Sequence, residues 1–218
     1  MKRTFFVAAV VLVCALWAVR GWAGDGAVAL QAADPSCADD FIQGKRYVNC
    51  ENGTVTDNLT GLVWLANANC FGEMNWHEAM ATVAGLGDLP DDKVCVDSSG
   101  TLSPDDCDCG LSDHSSPGEW RLATTGEWEA MYEHARDVLG CDRPTISDDV
   151  GNGCWSQACV DAGACSFYGF PTSSWYWTSS SYLPDPALAW DVHLIIGGIN
   201  GGDKTDVDLH VWPVRGGQ

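Results

Sequence analysis

Basic residues are scarce in this chain, whose 218 residues include 11 lysines and arginines against 30 aspartates and glutamates. The resulting net charge of −19 repels nucleic acid and other polyanions from most of the surface. It favours cations, basic partners or neutral ligands, although the acidity can also serve only to keep an exported chain soluble. After the first twenty residues no segment is apolar and long enough to span a bilayer, so we expect no later membrane span.

Signatures of common enzymes are also missing. The sequence contains no G-x-S-x-G elbow, no H-E-x-x-H zinc motif and no Gly-rich phosphate loop. We therefore predict a non-catalytic protein without a cofactor, in which no catalytic residue can be named and the binding residues are unknown.

Two sets of residues are candidate metal ligands. Three carboxylates in a Gly-rich turn could bind calcium, although their spacing is not that of an EF-hand: Asp203, Asp206 and Asp208. His193 and His210 could share a metal ion if their strands were neighbours, but we interpret them as polar positions on the solvent face.

The N-terminus has the features of a secretory signal. Lys2 and Arg3 precede an uncharged stretch at 5–19, and small residues flank Trp22 at the expected cleavage position after Ala23. We predict a signal peptide at 1–23, a linker at 24–36 and a single domain at 37–218, with an uncleaved anchor as the alternative. The mature chain keeps eight basic and thirty acidic residues, a net charge of −22. Its expected location is the periplasm, the cell surface or the medium.

Ten cysteines remain once the signal carrying Cys14 is removed. An even number of cysteines in an exported chain favours disulfide bonds. Zinc is the alternative, but the paired C-x2-C spacing of zinc sites is absent. Ten cysteines allow about 945 pairings, so their spacing alone selects none.

The pattern of apolar residues predicts an α+β domain. Turn residues at 57–61 separate two strands of a hairpin, and Asn75 and Thr124 each begin a helix with a capping box. The first helix should bury Trp76, Met80, Val83 and Ala84, and the second Trp128, Met131, Tyr132, Ala135, Val138 and Leu139 before stopping at Gly140. Later strands are expected at 175–179, 190–196 and 209–214, with turns at 197–198 and 201–202.

Four stretches in order carry a family resemblance: 56–64 (TDNLTGLVW), 118–128 (GEWRLATTGEW), 176–180 (YWTSS) and 211–216 (VWPVRG). Together they resemble the Lcl C-terminal domain family, named after a collagen-like bacterial adhesin, over roughly residues 50–217. The resemblance implies a C-type-lectin-like fold, with two helices flanking a twisted, mostly antiparallel sheet. Ala123 departs from the family's usual proline. The insertions at 88–108 and 141–169 lie outside the family pattern, and we expect ligand specificity in them.

The resemblance also implies one disulfide, Cys70–Cys109. Together with short local loops it leads to five expected pairs: Cys37–Cys50, Cys70–Cys109, Cys95–Cys107, Cys141–Cys154 and Cys159–Cys165. We further expect the tryptophans of the motifs to form the core rather than a ligand platform: Trp64, Trp120, Trp128 and Trp212. Arg121 should point away from that core and pair with Glu127 or Glu129.

The favoured function is an exported binding module whose disulfide-stapled loops recognise a glycan or protein, for example in adhesion. The alternative is a structural or assembly subunit of an extracellular complex. A third possibility follows from the family's similarity to the formylglycine-generating oxidoreductases. Those enzymes use reactive cysteines late in the chain, whereas no cysteine follows Cys165 here.

Overall fold

The predicted α+β content is present in the structure, a computed structural model that describes residues 44–87, 95–96, 102–103, 109–171 and 175–216. The predicted signal peptide and linker lie outside the described residues. The strands are β1 (Tyr47–Asn49), β2 (Thr54–Asp57), β3 (Leu62–Leu65), β4 (Glu73–Met74), β5 (Cys95–Val96), β6 (Leu102–Ser103), β7 (Arg121–Leu122), β8 (Trp175–Ser181), β9 (Leu188–His193), β10 (Gly198–Asp203), β11 (Leu209–His210) and β12 (Pro213–Arg215). The helices are α1 (Trp76–Gly85), α2 (Thr125–His134) and α3 (Gln157–Asp161), and a π-helical turn (Ala135–Leu139) continues α2.

The strands form two five-stranded sheets rather than the one sheet that was expected. The first has the order β1-β2-β3-β12-β7 and the second β10-β9-β8-β11-β4, while β5 and β6 pair separately. All pairs are antiparallel except β8 with β11. The predicted closing strand at 209–214 is divided, because β11 joins the second sheet and β12 the first. This last segment therefore holds the two sheets together.

The predicted hairpin at 54–65 is confirmed and forms the centre of the first sheet. Val55 lies opposite Trp64, and the Asp57 carboxylate accepts a hydrogen bond from the backbone N–H of Leu59 in the turn (2.9 Å). Gly61 completes the turn with a φ of 72°, a left-handed conformation that glycine adopts without strain. The turn residues at 57–61 thus set the register that brings Trp64 into the core.

Both predicted capping boxes are present. In α1 the Asn75 side chain accepts from the N–H of Glu78, whose carboxylate accepts from the N–H of Asn75. Helix α1 buries a narrower face than expected, with Ala79 and Val83 fully inside and Ala84 exposed. The prediction for Ala84 was therefore wrong, because α1 buries only the face with Ala79 and Val83, while it packs against β7 and β8.

Helix α2 buries Trp128, Met131 and Tyr132 as predicted, and its π-helical continuation ends at a left-handed Gly140 (φ 68°). Val138 was expected on the buried face but is 69% exposed. A π-helical turn holds more residues per turn than the α-helix that the spacing assumed, so residues after Ala135 rotate away from the core.

The predicted turns of the last region are partly wrong. Gly198 and the pair at 201–202 lie within β10, whereas the turn occupies 194–197 and includes Leu194 and Ile196. Strand β10 is the outermost strand of its sheet, and Gly202 lets the Trp177 ring pack closely against it, since a Cβ there would lie 2.8 Å from that ring. In the described part of the chain, no helix is long and apolar enough to span a bilayer.

Candidate functional site

The tryptophans of the sequence motifs form a buried aromatic cluster between the two sheets and α2. The ring centroids of Trp64 lie 5.2 Å from those of Trp128 and 5.1 Å from those of Trp212, and the Trp128 ring lies 5.4 Å from Tyr176. All four side chains are essentially inaccessible to solvent. The cluster is therefore part of the core, as expected, and presents no ring to a ligand.

Trp120 is buried at a separate position, near the C-terminal strand. Its indole N–H donates to the Ser115 hydroxyl (2.9 Å), and the Arg215 guanidinium lies over its ring. Arg215 also forms an ion pair with the fully buried carboxylate of Asp113 (3.1 Å). These contacts join the segment before β7 to β12, which supports an architectural role for Trp120.

Arg121 joins three elements through one side chain. It forms a bidentate ion pair with Glu127 at the start of α2, with an N–O distance of 2.7 Å for one of the bonds, and donates to the Gly216 carbonyl after β12 (2.9 Å). Burial alone raises the pKa of Glu127, but hydrogen bonds from Arg121 and Thr124 outweigh it and hold that pKa below its usual range. The predicted pairing of Arg121 with Glu127 is confirmed.

Residues 141–169 form a loop that we call the stapled loop, because two disulfides close it: Cys141–Cys154 and Cys159–Cys165. The structure also contains Cys70–Cys109, so three of the five expected pairs are present. Cys50 is disulfide-bonded too, while its expected partner Cys37 and the side chains of the expected pair Cys95–Cys107 lie outside the described residues.

The stapled loop is fixed to the first sheet by hydrogen bonds at Asp149. The backbone N–H groups of Arg46 and Tyr47 both donate to its carbonyl (2.7 and 3.0 Å). Its carboxylate accepts from the backbone N–H and the hydroxyl of Ser166, each at 2.7 Å. Burial raises the pKa of Asp149 despite these two donors. One residue thus connects both halves of the loop to β1.

Tyr168 is the exposed aromatic side chain of the stapled loop, and its backbone is fixed on both sides. Its N–H donates to the Ala66 carbonyl (3.0 Å), and its carbonyl accepts from the N–H of Ala68 (2.8 Å). The side chain remains 42% exposed. Just beside it, the Trp155 indole donates to the Phe167 carbonyl (2.8 Å). Because the backbone of Tyr168 is already fixed, a partner that covers the ring has to order only the side chain.

The comparison with protein families covers the part of the chain that holds these features. The model of the Lcl C-terminal domain family matches residues 53–215, from the residue before β2 to the end of β12. The chain belongs to the Lcl C-terminal domain family. No curated protein matches the sequence. The matched range of this Lcl C-terminal domain includes the aromatic cluster, the Arg121–Glu127 pair and the whole stapled loop.

The candidate calcium ligands of this Lcl C-terminal domain do not converge. The Asp203 carboxylate accepts hydrogen bonds from the backbone N–H and hydroxyl of Thr205 and from the N–H of Asp206, which lowers its pKa. It therefore stabilises the turn after β10, while Asp206 and Asp208 are exposed. Within the described residues no three acidic, histidine or cysteine side chains are arranged to hold a metal ion.

The two histidines do not face each other, because β8 lies between their strands. His193 is stacked on Trp175, with ring centroids 3.9 Å apart and planes 7° from parallel. His210 is buried and its Nε2 lies 3.1 Å from a carboxylate oxygen of Glu73. Our interpretation of His210 as a solvent-face residue was wrong, since the residue is 6% exposed and its ring centroid lies 5.6 Å from that of the buried Tyr176.

Asp191 is a buried carboxyl group that the sequence pattern did not reveal. It lies in the middle of β9, is 3% exposed, and has no hydrogen-bond partner for Oδ1. Burial raises its pKa to about 6. Gly202 on the neighbouring strand leaves room for this carboxyl group, since a Cβ on Gly202 would lie 2.8 Å from the Trp177 ring and 3.2 Å from Asp191 Oδ2. No signal in the sequence marked this residue as buried.

Proposed function

We propose that this Lcl C-terminal domain is an exported, non-catalytic binding module on a C-type-lectin-like scaffold, and that its stapled loop recognises a protein or a glycan. The observation that carries the proposal is the exposed Tyr168 side chain on a backbone fixed from both sides. Recognition surfaces are commonly built from loops held on a rigid scaffold.

The disulfides support an exported location. Cys70–Cys109, Cys141–Cys154 and Cys159–Cys165 form bonds that persist in oxidising compartments and are rare in the cytosol. This agrees with the predicted signal peptide. Secretion, retention in the periplasm and display at the cell surface all fit these bonds.

Burial of the tryptophans also supports recognition through the loop. Because the aromatic cluster is closed to solvent, it offers no stacking surface for a sugar ring. Several aromatic side chains outside the core cluster remain partly accessible in the described residues, and Tyr168 in the stapled loop is the most exposed of the tyrosines and tryptophans. The acidic composition makes sulfated or phosphorylated polymers poor ligands and favours neutral or basic ones.

A non-catalytic role is supported by the cysteines of the stapled loop. Cys165 is the last cysteine of the chain and is bonded to Cys159. A mechanism like that of the formylglycine-generating enzymes, which needs reactive cysteines late in the chain, has no thiol to use at these positions.

The test begins with the mature protein, residues 24–218, on an array of glycans and extracellular proteins. Ligands that bind are then titrated against Tyr168→Ala and the matched control Leu59→Ala, which removes another exposed side chain from a turn of the first sheet. We expect Tyr168→Ala to weaken binding by about tenfold or more with an unchanged melting temperature, as for a central interface residue. If Tyr168→Ala bound its ligand as tightly as Leu59→Ala and the wild type, recognition through the stapled loop would be contradicted.

A further inference from the structure

Strand β10 forms an open edge of the second sheet. Among the described residues it pairs only with β9, over six residues in unbroken register. Asn200 and Gly201 are exposed. Proteins usually protect such edges with proline, lysine, a bulge or a covering element, and β10 contains no proline, lysine or bulge.

The outward backbone groups of β10 can be assigned from its neighbours. The N–H of Lys204 donates to the Ala187 carbonyl across the β9–β10 pair (3.1 Å). In an antiparallel pair, alternate residues direct both backbone groups toward the partner strand. Residues 198, 200 and 202 therefore face β9, and Ile199, Gly201 and Asp203 direct their N–H and C=O groups away from the sheet.

The side chains of β10 leave these outward groups accessible. Glycine occupies three of the six positions, and a Cβ placed on Gly201 would meet no atom closer than 3.9 Å. Because Gly201, the central outward-facing residue, is exposed and has no side chain, β10 itself presents no obstacle there to a further strand at the normal separation of about 4.8 Å.

The charge at one end of this edge indicates what kind of strand fits. Asp203 ends β10, and the exposed Asp206 and Asp208 follow directly. The hydrogen bonds from Thr205 keep the pKa of Asp203 low, so its carboxylate is ionised at neutral pH. At the other end, the Arg136 guanidinium is already paired with Asp137 and bonded to the Gly197 carbonyl.

We propose that β10 binds an extended, basic segment of another protein, which joins the second sheet as a sixth strand and places lysine or arginine side chains beside Asp203 and Asp206. The sheet edge recognises the backbone of the partner, and the acidic turn selects its charge. This surface is distinct from the stapled loop and fits an assembly role.

A second copy of the chain fits this edge less well. Strand β10 contains no basic residue, so antiparallel pairing of two copies would leave the carboxylates at 203–208 of each copy without a positive partner. The net charge of −19 would also oppose self-association.

The first experiment uses the mature protein and the peptide acetyl-Lys-Val-Lys-Val-Lys-Val-amide, titrated by NMR at low salt. Two control peptides differ in one property each: one carries methyl groups on all six backbone nitrogens, and the other has glutamate in place of lysine. We expect the largest shifts at the amides of Ile199, Gly201 and Asp203, and affinity at least about tenfold weaker for both controls. Equal affinity for the methylated peptide would overturn strand addition.

Three variants complete the test. Gly201→Pro removes an outward N–H and should weaken the lysine peptide at least about tenfold, whereas Gly201→Ala keeps that N–H and should bind like the wild type. Replacing Asp206 and Asp208 with asparagine should weaken binding several-fold and reduce its salt dependence. Undiminished binding by Gly201→Pro, or a dimer in the wild type that Gly201→Pro dissociates, would overturn the proposal. Tyr168→Ala should bind the peptide normally, which separates this site from the proposed function of the stapled loop.

Discussion

Replacing Asp191 with asparagine should stabilise the protein at neutral pH. The carboxyl group is buried in the middle of β9, Oδ1 has no hydrogen-bond partner, and its pKa is raised to about 6. The unfolded chain binds the same proton with a pKa of about 3.9. Folding above pH 6 therefore forces a carboxylate into a site that favours its neutral form.

The size of this stabilisation follows from the pKa of Asp191, which differs by about two units between the folded and unfolded states, each unit being worth about 1.4 kcal/mol. The native state holds the Asp191 proton more tightly than the unfolded state. The loss of stability caused by ionising Asp191 is therefore absent below about pH 4, grows as pH rises from 4 to 6, and is complete above that range. Asparagine removes the charge but adds amide donors that need partners. We therefore expect a gain of about 1–3 kcal/mol in the free energy of unfolding at pH 7.5, and little change at pH 4.

Urea unfolding of the wild type and Asp191→Asn at pH values from 4 to 8 measures this difference. Glu127→Gln is the control of opposite sign, because hydrogen bonds from Arg121 and Thr124 hold the pKa of Glu127 below its usual range. Its replacement should destabilise the domain by about 1–2 kcal/mol at neutral pH, since glutamine cannot form the bidentate ion pair with Arg121. If Asp191→Asn were less stable than the wild type at pH 7.5, Asp191 would have a stabilising partner and the reasoning would be refuted.

Three further predictions concern the core, the disulfides and the N-terminus. Trp128→Ala should lose about 3–5 kcal/mol of stability in a thermal or chemical melt, and an unchanged melting temperature would contradict the core role of this ring. Replacing Cys141 and Cys154 together with serine should cost about 2–4 kcal/mol in the same assay, and peptide mapping without reduction should recover this pair from the wild type; two or more free thiols in the exported protein would contradict the disulfide scheme. N-terminal sequencing of the protein from its host should begin near Gly24, and retention of Met1 in most molecules would contradict the signal peptide.

Local features of the fold were predictable because the residues that cause them are adjacent in sequence. Asn75 and Thr124 each cap a helix with a glutamate three residues later, and both capping boxes formed. The turn at 57–61 determined the hairpin register. Arg121 was expected to pair with Glu127 or Glu129, and it pairs with Glu127, six residues away. Of the candidate site, the boundaries of the stapled loop could be predicted, while the exposed Tyr168 could not.

Other features depend on contacts between distant segments. Residues 209–214 alternate like one strand, yet β4 and β8 pair with its first half and β3 and β7 with its second half. The π-helical turn displaced Val138 from the face that helical spacing assigned to it.

The sequence by itself determined the capped helices, the hairpin, the family and the acidic charge, because each depends on residue type and short spacing. Only the tertiary structure decided that Asp191 is buried, that Tyr168 is held outward and that β10 is an edge. Burial depends on which distant segments pack against a strand. The alternation of polar and apolar residues along β9 is the same whether Asp191 faces solvent or lies beside Trp177 of the neighbouring strand.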